Sequence, residues 1–545
     1  MKPSKAFIII TMAAIVCVGI SYLLSWKSKN SASQRVSYSY PKKQDTNSSQ
    51  SRRATSQSSI EITEEDLASL LEDVNEEAHL SDEQIIISQD DATFQELLES
   101  LSKNGINVIN SNKALRAIRV KLESEEDFRR LNGLTNDSDQ LENNYLVYLP
   151  TPQLPEATGP AGTAFGNTAL ESMGVPANNE DWGSGIKVAV LDTGVSQHSE
   201  FGDMTIDSID LIDSTAEYAH GTAVASLIAG ENTGVAPATS LLSIRVLDGN
   251  GIGDSYTLAE GIIAAVENGS DIISMSVGSY GYSQVLENAV NYASEQGVIL
   301  VASTGNDGAS QITYPARFDA VVAVTAVDAD SQIAGFSNYG KGVDIAAPGV
   351  GVVSAWSDEE WSYFSGTSAA VPYVTGSLSS LLSENPGMSS EEAIELITTY
   401  TNDTGASGFD EATGNGILNI ERIANREEEG IYDLAISDFY LDYENATAAV
   451  VPIEITVQNR GTETINSLTL TYAEQASFEQ ERSLERLEPN ATTSYQISVP
   501  RVLLDSEEGY SLQASIESNG TSDSTPENNI KETLFKKNED LDIEE

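Results

Sequence analysis

The chain contains one cysteine, Cys17, and three histidines, His79, His198 and His220. A single cysteine excludes a disulfide within the folded chain and any cysteine-built metal centre. Three histidines leave few candidates for a general base at neutral pH. Positive charge is scarce as well. Between Pro155 and Gly430 the only lysines are Lys187 and Lys341, and the whole chain carries a formal charge of −54. Such a surface repels nucleic acid and anionic lipid, which argues against DNA- or RNA-binding functions. The exception is the beginning: up to about residue 55 the chain is basic, with Lys2, Lys5, Lys27, Lys29, Arg52 and Arg53.

At 545 residues the chain exceeds a single core and implies roughly three or four units. Residues 1–27 hold a nearly unbroken apolar run, Ala6 to Trp26, flanked by lysines. Its length matches the roughly 20 residues a bilayer-spanning helix needs, so it reads as a signal anchor, or alternatively as a signal peptide. Either reading makes the protein secreted or cell-envelope, first held by an N-terminal membrane segment. Residues 28–59, rich in Ser, Gln and Lys, form a linker too polar to fold.

Residues 60–150 carry the signals of a small α+β unit. Strands are expected at Gln84–Ser88, Ile106–Ile109, Leu115–Leu122 and Tyr145–Leu149, with helices at Phe94–Lys103 and from an N-cap at Ser124 to Leu131. That order is a split βαβ sandwich, the ferredoxin-like arrangement. A link rich in Pro and Gly follows. A short helix is expected over Ala164–Met173, and after it strands and helices alternate through residues 155–427. Alternation of this kind means an α/β unit, a parallel sheet with helices on both faces. Residues 431–536 change to short alternating runs separated by turns, an all-β sandwich pattern. An acidic tail, 537–545, ends the chain.

In open parallel sheets, sites gather at the carboxyl ends of strands. Asp192 follows the apolar run Val188-Ala189-Val190-Leu191 there, and His220 opens a helix in His-Gly-Thr-Ala-Val-Ala-Ser. Ser368 opens another, in Gly-Thr-Ser-Ala-Ala-Val-Pro-Tyr-Val-Thr-Gly, where Pro372 is expected in the first turn. A hydroxyl, an imidazole to take its proton and a carboxylate to fix the imidazole are what nucleophilic catalysis needs. Asn306, after the strand Val298–Ser303, could donate its amide to an oxyanion. Taken alone, each motif fits a structural role, such as a helix N-cap for Ser368.

In the order Asp, His, Asn, Ser, these motifs resemble the subtilisin-like (subtilase) serine peptidases over roughly residues 155–425. The resemblance implies Ser368 as nucleophile, His220 as base then acid, Asp192 as orienter and Asn306 as oxyanion donor. It implies Ser276, Val277 and Gly278 as one wall of the primary specificity pocket, and Ala302 to Gly305 as the other. Gly251 and Gly253 fall in the edge strand that pairs with the substrate backbone. His198 takes a structural position, and His79 lies outside the set. Ala369 stands where the family usually has Met, Tyr373 where His is common, and Ser274 where Asn is frequent. No metal or other cofactor is required, and Gly230–Pro237 is too short for the family's tight calcium loop, leaving only weak calcium binding.

By the same resemblance, residues 60–150 are an inhibitory propeptide. Its last strand lies in the cleft and is cut between Leu149 and Ala164. The sandwich looks like adhesion-type CARDB modules of immunoglobulin fold. The function implied is an exported serine endopeptidase acting on proteins or peptides, with its own propeptide as an internal partner. Two alternatives stand beside it: a surface-binding protein with an inactive protease scaffold, and a processing peptidase of narrow specificity.

Overall fold

A computed structural model describes residues 38–39, 78–136, 138–150, 162–212, 219–443, 445–475, 479–506, 508–518 and 520–535. They fall in two units, Met1–Ser81 and Asp82–Glu545. In the first, β1 (Tyr38–Ser39) pairs antiparallel with His79 and Leu80, which begin β2 (His79–Ile87). The expected membrane segment, Ala6 to Trp26, and most of the linker lie outside the described residues. Among the described residues no helix is long and apolar enough to cross a membrane.

The second unit begins within β2 and continues with α1 (Asp91–Lys103), β3 (Asn107–Asn112), β4 (Ala117–Lys121), α2 (Glu125–Asn132) and β5 (Gln140–Tyr148). Helix starts follow the cap signals. Asp90 accepts from the Thr93 amide with Thr93 reciprocating, and Ser124 accepts from the Asp127 amide. The helices cover one face through Phe94, Leu97, Leu101 and Leu131, against Ile86, Ile118 and Val120 of the strands. The sheet order is β3-β4-β2-β5, and β5 also pairs with a short strand of the next layer.

That layer is a seven-stranded parallel sheet, ordered β13-β12-β11-β10-β6-β8-β7. Its strands are β6 (Lys187–Asp192), β7 (Asp207–Asp210), β8 (Ser240–Arg245), β10 (Ile272–Met275), β11 (Ile299–Ser303), β12 (Val321–Val327) and β13 (Ile345–Pro348). Successive side chains in a strand face opposite sides, so a sheet covered on both faces must be apolar throughout. Val188 and Val190 enter one core and Ala189 and Leu191 the other; Val301 and Ala302 divide in the same way. The first core is closed by α4 (Ala219–Ala229) and α7 (Thr367–Glu384), after the four-residue α3 (Ala169–Ser172). The second is closed by α5 (Ser255–Glu267) and α6 (Gln284–Glu295), and it takes in Ile85, Ala117 and Val147 from the N-terminal layer. Full burial of such side chains contributes about 1.5–3 kcal/mol each. Strand β9 (Ile252–Asp254) lies between β8 and α5, and β14 (Val352–Ala355) pairs with β15 (Trp361–Phe364) before α7. Helices α8 (Ser390–Thr399) and α9 (Ile420–Ala424) end the layer.

The sandwich has two sheets. One is β16 (Leu434–Leu441), β17 (Val450–Asn459) and β20 (Thr492–Pro500). The other is β18 (Leu468–Glu474), β19 (Gln480–Leu484), β21 (Tyr510–Ser518) and β22 (Ile530–Phe535). Polar contacts dock it on the parallel-sheet layer. The Asp403 amide donates to Gln458, the Gly405 amide to Asp438, and the Gln458 amide group to the Thr401 carbonyl.

Three local expectations change. The helix at Ala164–Met173 shrinks to α3, because the Phe165 and Gly166 amides bond to the Val350 and Gly351 carbonyls and Gly166 takes φ +56°. The sandwich gains β19 and β22, whose sequences are too polar to stand out as strands. Pro372 lies in the second turn of α7, not the first. It therefore removes the amide that would have bonded to the Ser368 carbonyl, and the Ser276 hydroxyl donates to that carbonyl instead, at 3.1 Å.

Candidate active site

Strand β6 delivers Asp192 at its carboxyl end, fully buried. Helix α4 begins beside it with His220, whose Nδ1 lies 2.9 Å from both Asp192 oxygens. A carboxylate only accepts, so Nδ1 carries the proton and the neutral imidazole presents Nε2 as an acceptor. The approach depends on Gly221. A Cβ there would fall 2.3 Å from the Gly194 carbonyl oxygen, in the turn after Asp192. Phe364 of β15 meets the imidazole edge-on, with ring centroids 5.2 Å apart.

Ser368 is the second residue of α7 and is fully buried. Gly366 precedes the helix at φ +135°, a turn that favours glycine. The Ser368 hydroxyl donates to the Ser276 carbonyl over a long 3.4 Å. Among the described residues the imidazole's hydrogen bonds run to Asp192 alone. The structure thus joins Asp192 to His220 directly and sets Ser368 against Ser276.

Asn306, 1 % exposed, follows β11. Its Oδ1 accepts from the Thr367 amide at 2.8 Å and the Thr367 hydroxyl at 2.9 Å. Its Nδ2 donates to the Pro150 carbonyl at 2.5 Å. The N-terminal layer therefore reaches this point. Leu146, Val147 and Tyr148 pair antiparallel with Asp254, Gly253 and Ile252. The Leu149 amide donates to the Gly251 carbonyl, and Tyr148 and Gly278 exchange amide–carbonyl bonds, each at 2.9 Å. The strand from 146 to 150 lies between β9 and the segment after β10, as β-augmentation prescribes.

Of the expected cleft residues, Gly251 and Gly253 of the edge strand and Gly278 of the pocket wall meet this strand directly. Ser276 meets Ser368. Val277 and Ala302 are fully buried and belong to the second core. Gly305 takes φ +109°, and a Cβ there would lie 2.2 Å from Asn338. Asn338 and Thr367 were missed by the sequence reading. The Asn338 oxygen accepts from the Asp307 and Ala309 amides at 2.9 and 3.0 Å, holding the loop that carries Asn306. Its only sequence signal is a polar residue inside Phe336-Ser337-Asn338-Tyr339-Gly340.

Charged groups tie the N-terminal layer to the parallel-sheet layer. Arg119 bonds to Glu83 at 2.7 Å and to Asp254 at 3.1 Å, while Asn110 donates to Glu260 at 2.7 Å. Burial pushes Glu260 up to about 7, with Arg119 opposing and Asp254 adding to the shift. Glu142 accepts from the Gln284 and Val285 amides at 2.7 and 3.0 Å, an anion at the α6 N-terminus. Burial raises its carboxyl, against those same amides.

Other expected positions hold structural bonds. His198, 4 % exposed, accepts from the Glu200 amide at 3.0 Å and lies 3.1 Å from the Glu360 carbonyl. The short loop after α4 closes on Glu200, which accepts from the Asn232 and Thr233 amides at 2.7 Å each. Among the described residues no group of His, Cys, Asp and Glu is arranged to hold a metal ion.

The subtilase family model matches residues 183–416. The thermostable alkaline protease of Halalkalibacterium halodurans is 34% identical over 349 residues, which cover 62% of this chain and 90% of that protein. Subtilisin BL of Lederbergia lenta is 38% identical over 246 residues, 44% of this chain and 90% of its own. The minor extracellular protease Epr of Bacillus subtilis is 35% identical over 246 residues, 43% of this chain and 38% of that protein.

Proposed function

Since the chain belongs to the subtilase family and is a subtilisin-like serine endopeptidase, we propose that Asp192, His220, Ser368 and Asn306 are its catalytic groups. We further propose that residues 60–150 are its inhibitory propeptide, with the ferredoxin-like fold their element order suggests. The named protease relatives speak against the inactive-scaffold alternative. One observation carries the reading: the Pro150 carbonyl sits on Asn306 Nδ2, where an oxyanion would need a donor. The bond presented for processing is then Pro150–Thr151.

In this mechanism Ser368 Oγ attacks the carbonyl carbon while His220 Nε2 takes its proton. The oxyanion receives Asn306 Nδ2–H and the Ser368 amide, one of the first-turn N–H groups without an intrahelical partner. His220 then gives the proton to the leaving nitrogen as the C–N bond breaks. Water, deprotonated by His220, releases the acyl group from Ser368. Asp192 keeps the imidazole in the right tautomer and stabilises its charged form throughout.

The substrates are proteins or peptides that add a strand between Gly251–Asp254 and Ser276–Gly278. The extracellular relative supports action outside the cell. The sandwich is assigned as an adhesion-type module beside the catalytic layer.

The test follows maturation of the full chain. Wild type is expected to yield a product beginning at Thr151, and Ser368→Ala is expected to stay full length. A Ser368→Ala chain that matures as fast as wild type would sink the self-cleavage reading.

A further inference from the structure

Tyr148 and Gly278 exchange both main-chain hydrogen bonds. In an antiparallel ladder the next such pair lies two residues along each strand, which sets residue 150 opposite Ser276. The amide of residue 150 would there donate to the Ser276 carbonyl. Residue 150 is proline and has no N–H. The vacant carbonyl is met by the Ser368 hydroxyl at 3.4 Å, and the Ser276 hydroxyl returns a bond to the Ser368 carbonyl at 3.1 Å. The two serines are thus linked in both directions, while Pro150 is already held by Asn306.

We propose that Pro150, which has no amide to give the Ser276 carbonyl, is a brake on self-processing. This rests on the assignment of Pro150–Thr151 as the processing bond. A residue with an N–H occupies the Ser276 carbonyl and leaves the Ser368 hydroxyl free to turn to His220. Proline leaves the carbonyl open, so the hydroxyl stays on it and the proton transfer that starts acyl transfer is slow. The propeptide strand therefore persists as an inhibitor, although its carbonyl is correctly held. Substrates with proline at that position should bind and react slowly for the same reason.

The experiment compares full-length wild type, Pro150→Ala and Pro150→Ser by the rate of conversion and the N-terminus of the product. Both variants should process at least ~10-fold faster than wild type, with product beginning at Thr151. Equal or slower conversion, or a product beginning elsewhere, overturns the proposal. A Pro150→Ala, Ser368→Ala double variant should not convert. If it does, self-cleavage and the brake both fall; if it does not and Pro150→Ala is no faster, only the brake falls. A second measurement does not depend on how the variants fold. On mature enzyme, peptides carrying Val-Tyr-Leu-Pro-Thr should show kcat lower by ~10-fold or more than Val-Tyr-Leu-Ala-Thr, with KM within about threefold. Equal kcat values would overturn the role given to Ser276.

Discussion

Thr367 fixes which way Asn306 points. Its amide and its hydroxyl both donate to Asn306 Oδ1, at 2.8 and 2.9 Å, so the carboxamide cannot turn over without losing two bonds. Nδ2 is thereby committed to the cleft, where it holds the Pro150 carbonyl. Asn306→Ala should lower kcat by about 10²–10³ with little change in KM, the range known for a single oxyanion donor in a subtilisin. Thr367→Val, which keeps the amide and loses the hydroxyl, should lower kcat by roughly 10-fold. Steady-state kinetics on one peptide substrate measures both. A Thr367→Val enzyme with raised KM and unchanged kcat would show that Thr367 shapes binding instead.

Asp192→Asn should keep the fold and lose the chemistry. The carboxylate is fully buried and accepts from His220 Nδ1. An amide in its place favours the tautomer with the proton on Nε2, the wrong one for a general base. A fall in kcat of about 10⁴ is expected, with Tm within a few degrees of wild type. Circular dichroism and active-site titration separate this outcome from simple unfolding.

Asn338→Ala removes the acceptor for the Asp307 and Ala309 amides and leaves space beside Gly305. Unpartnered amides of this kind cost about 1–3 kcal/mol. Urea denaturation should report that loss, and kcat should fall because the Asn306 loop loses its fixed position. KM should change little, because Asn338 holds the Asn306 loop and not the cleft strand. A raised KM with unchanged kcat would argue against a positioning role.

The hold of the proposed propeptide should weaken as pH rises. Glu260, bonded to Asn110, has its carboxyl raised to about 7, against an ordinary value of 4.5. A carboxyl raised in the complex takes up a proton on association. Its favourable contribution is complete below about 4.5 and is lost as pH rises through about 7. Dissociation of the processed complex should therefore quicken between pH 5 and pH 8, as followed by recovery of activity. Glu260→Gln should flatten that dependence. The same pH dependence in the variant would move the effect to another group, such as Glu142.

Local signals made much of this protein legible. Both-face burial makes β6 an uninterrupted apolar run, and the alternating sandwich strands announce themselves by period two. The cap at Ser124 marks the start of α2 at the next residue. Strands β19 and β22 escaped because half-exposed edge sequences carry polar residues at most positions. Pro372 was misplaced because α7 begins at Thr367, one residue before Ser368, and a helix boundary depends on packing as well as on sequence.

By itself the sequence determined the acidic surface, the layers and the four residues proposed as catalytic. Asp192, His220, Asn306 and Ser368 each stand at a strand end or a helix start, where local pattern suffices to find them. Only the tertiary structure decided how they are held. Asn306 meets a carbonyl 156 positions earlier in the chain, and the two bonds between Ser276 and Ser368 span 92 positions. No local period encodes such meetings. They follow from two layers packing together and from the antiparallel register of one short strand, which brings Pro150 onto Asn306.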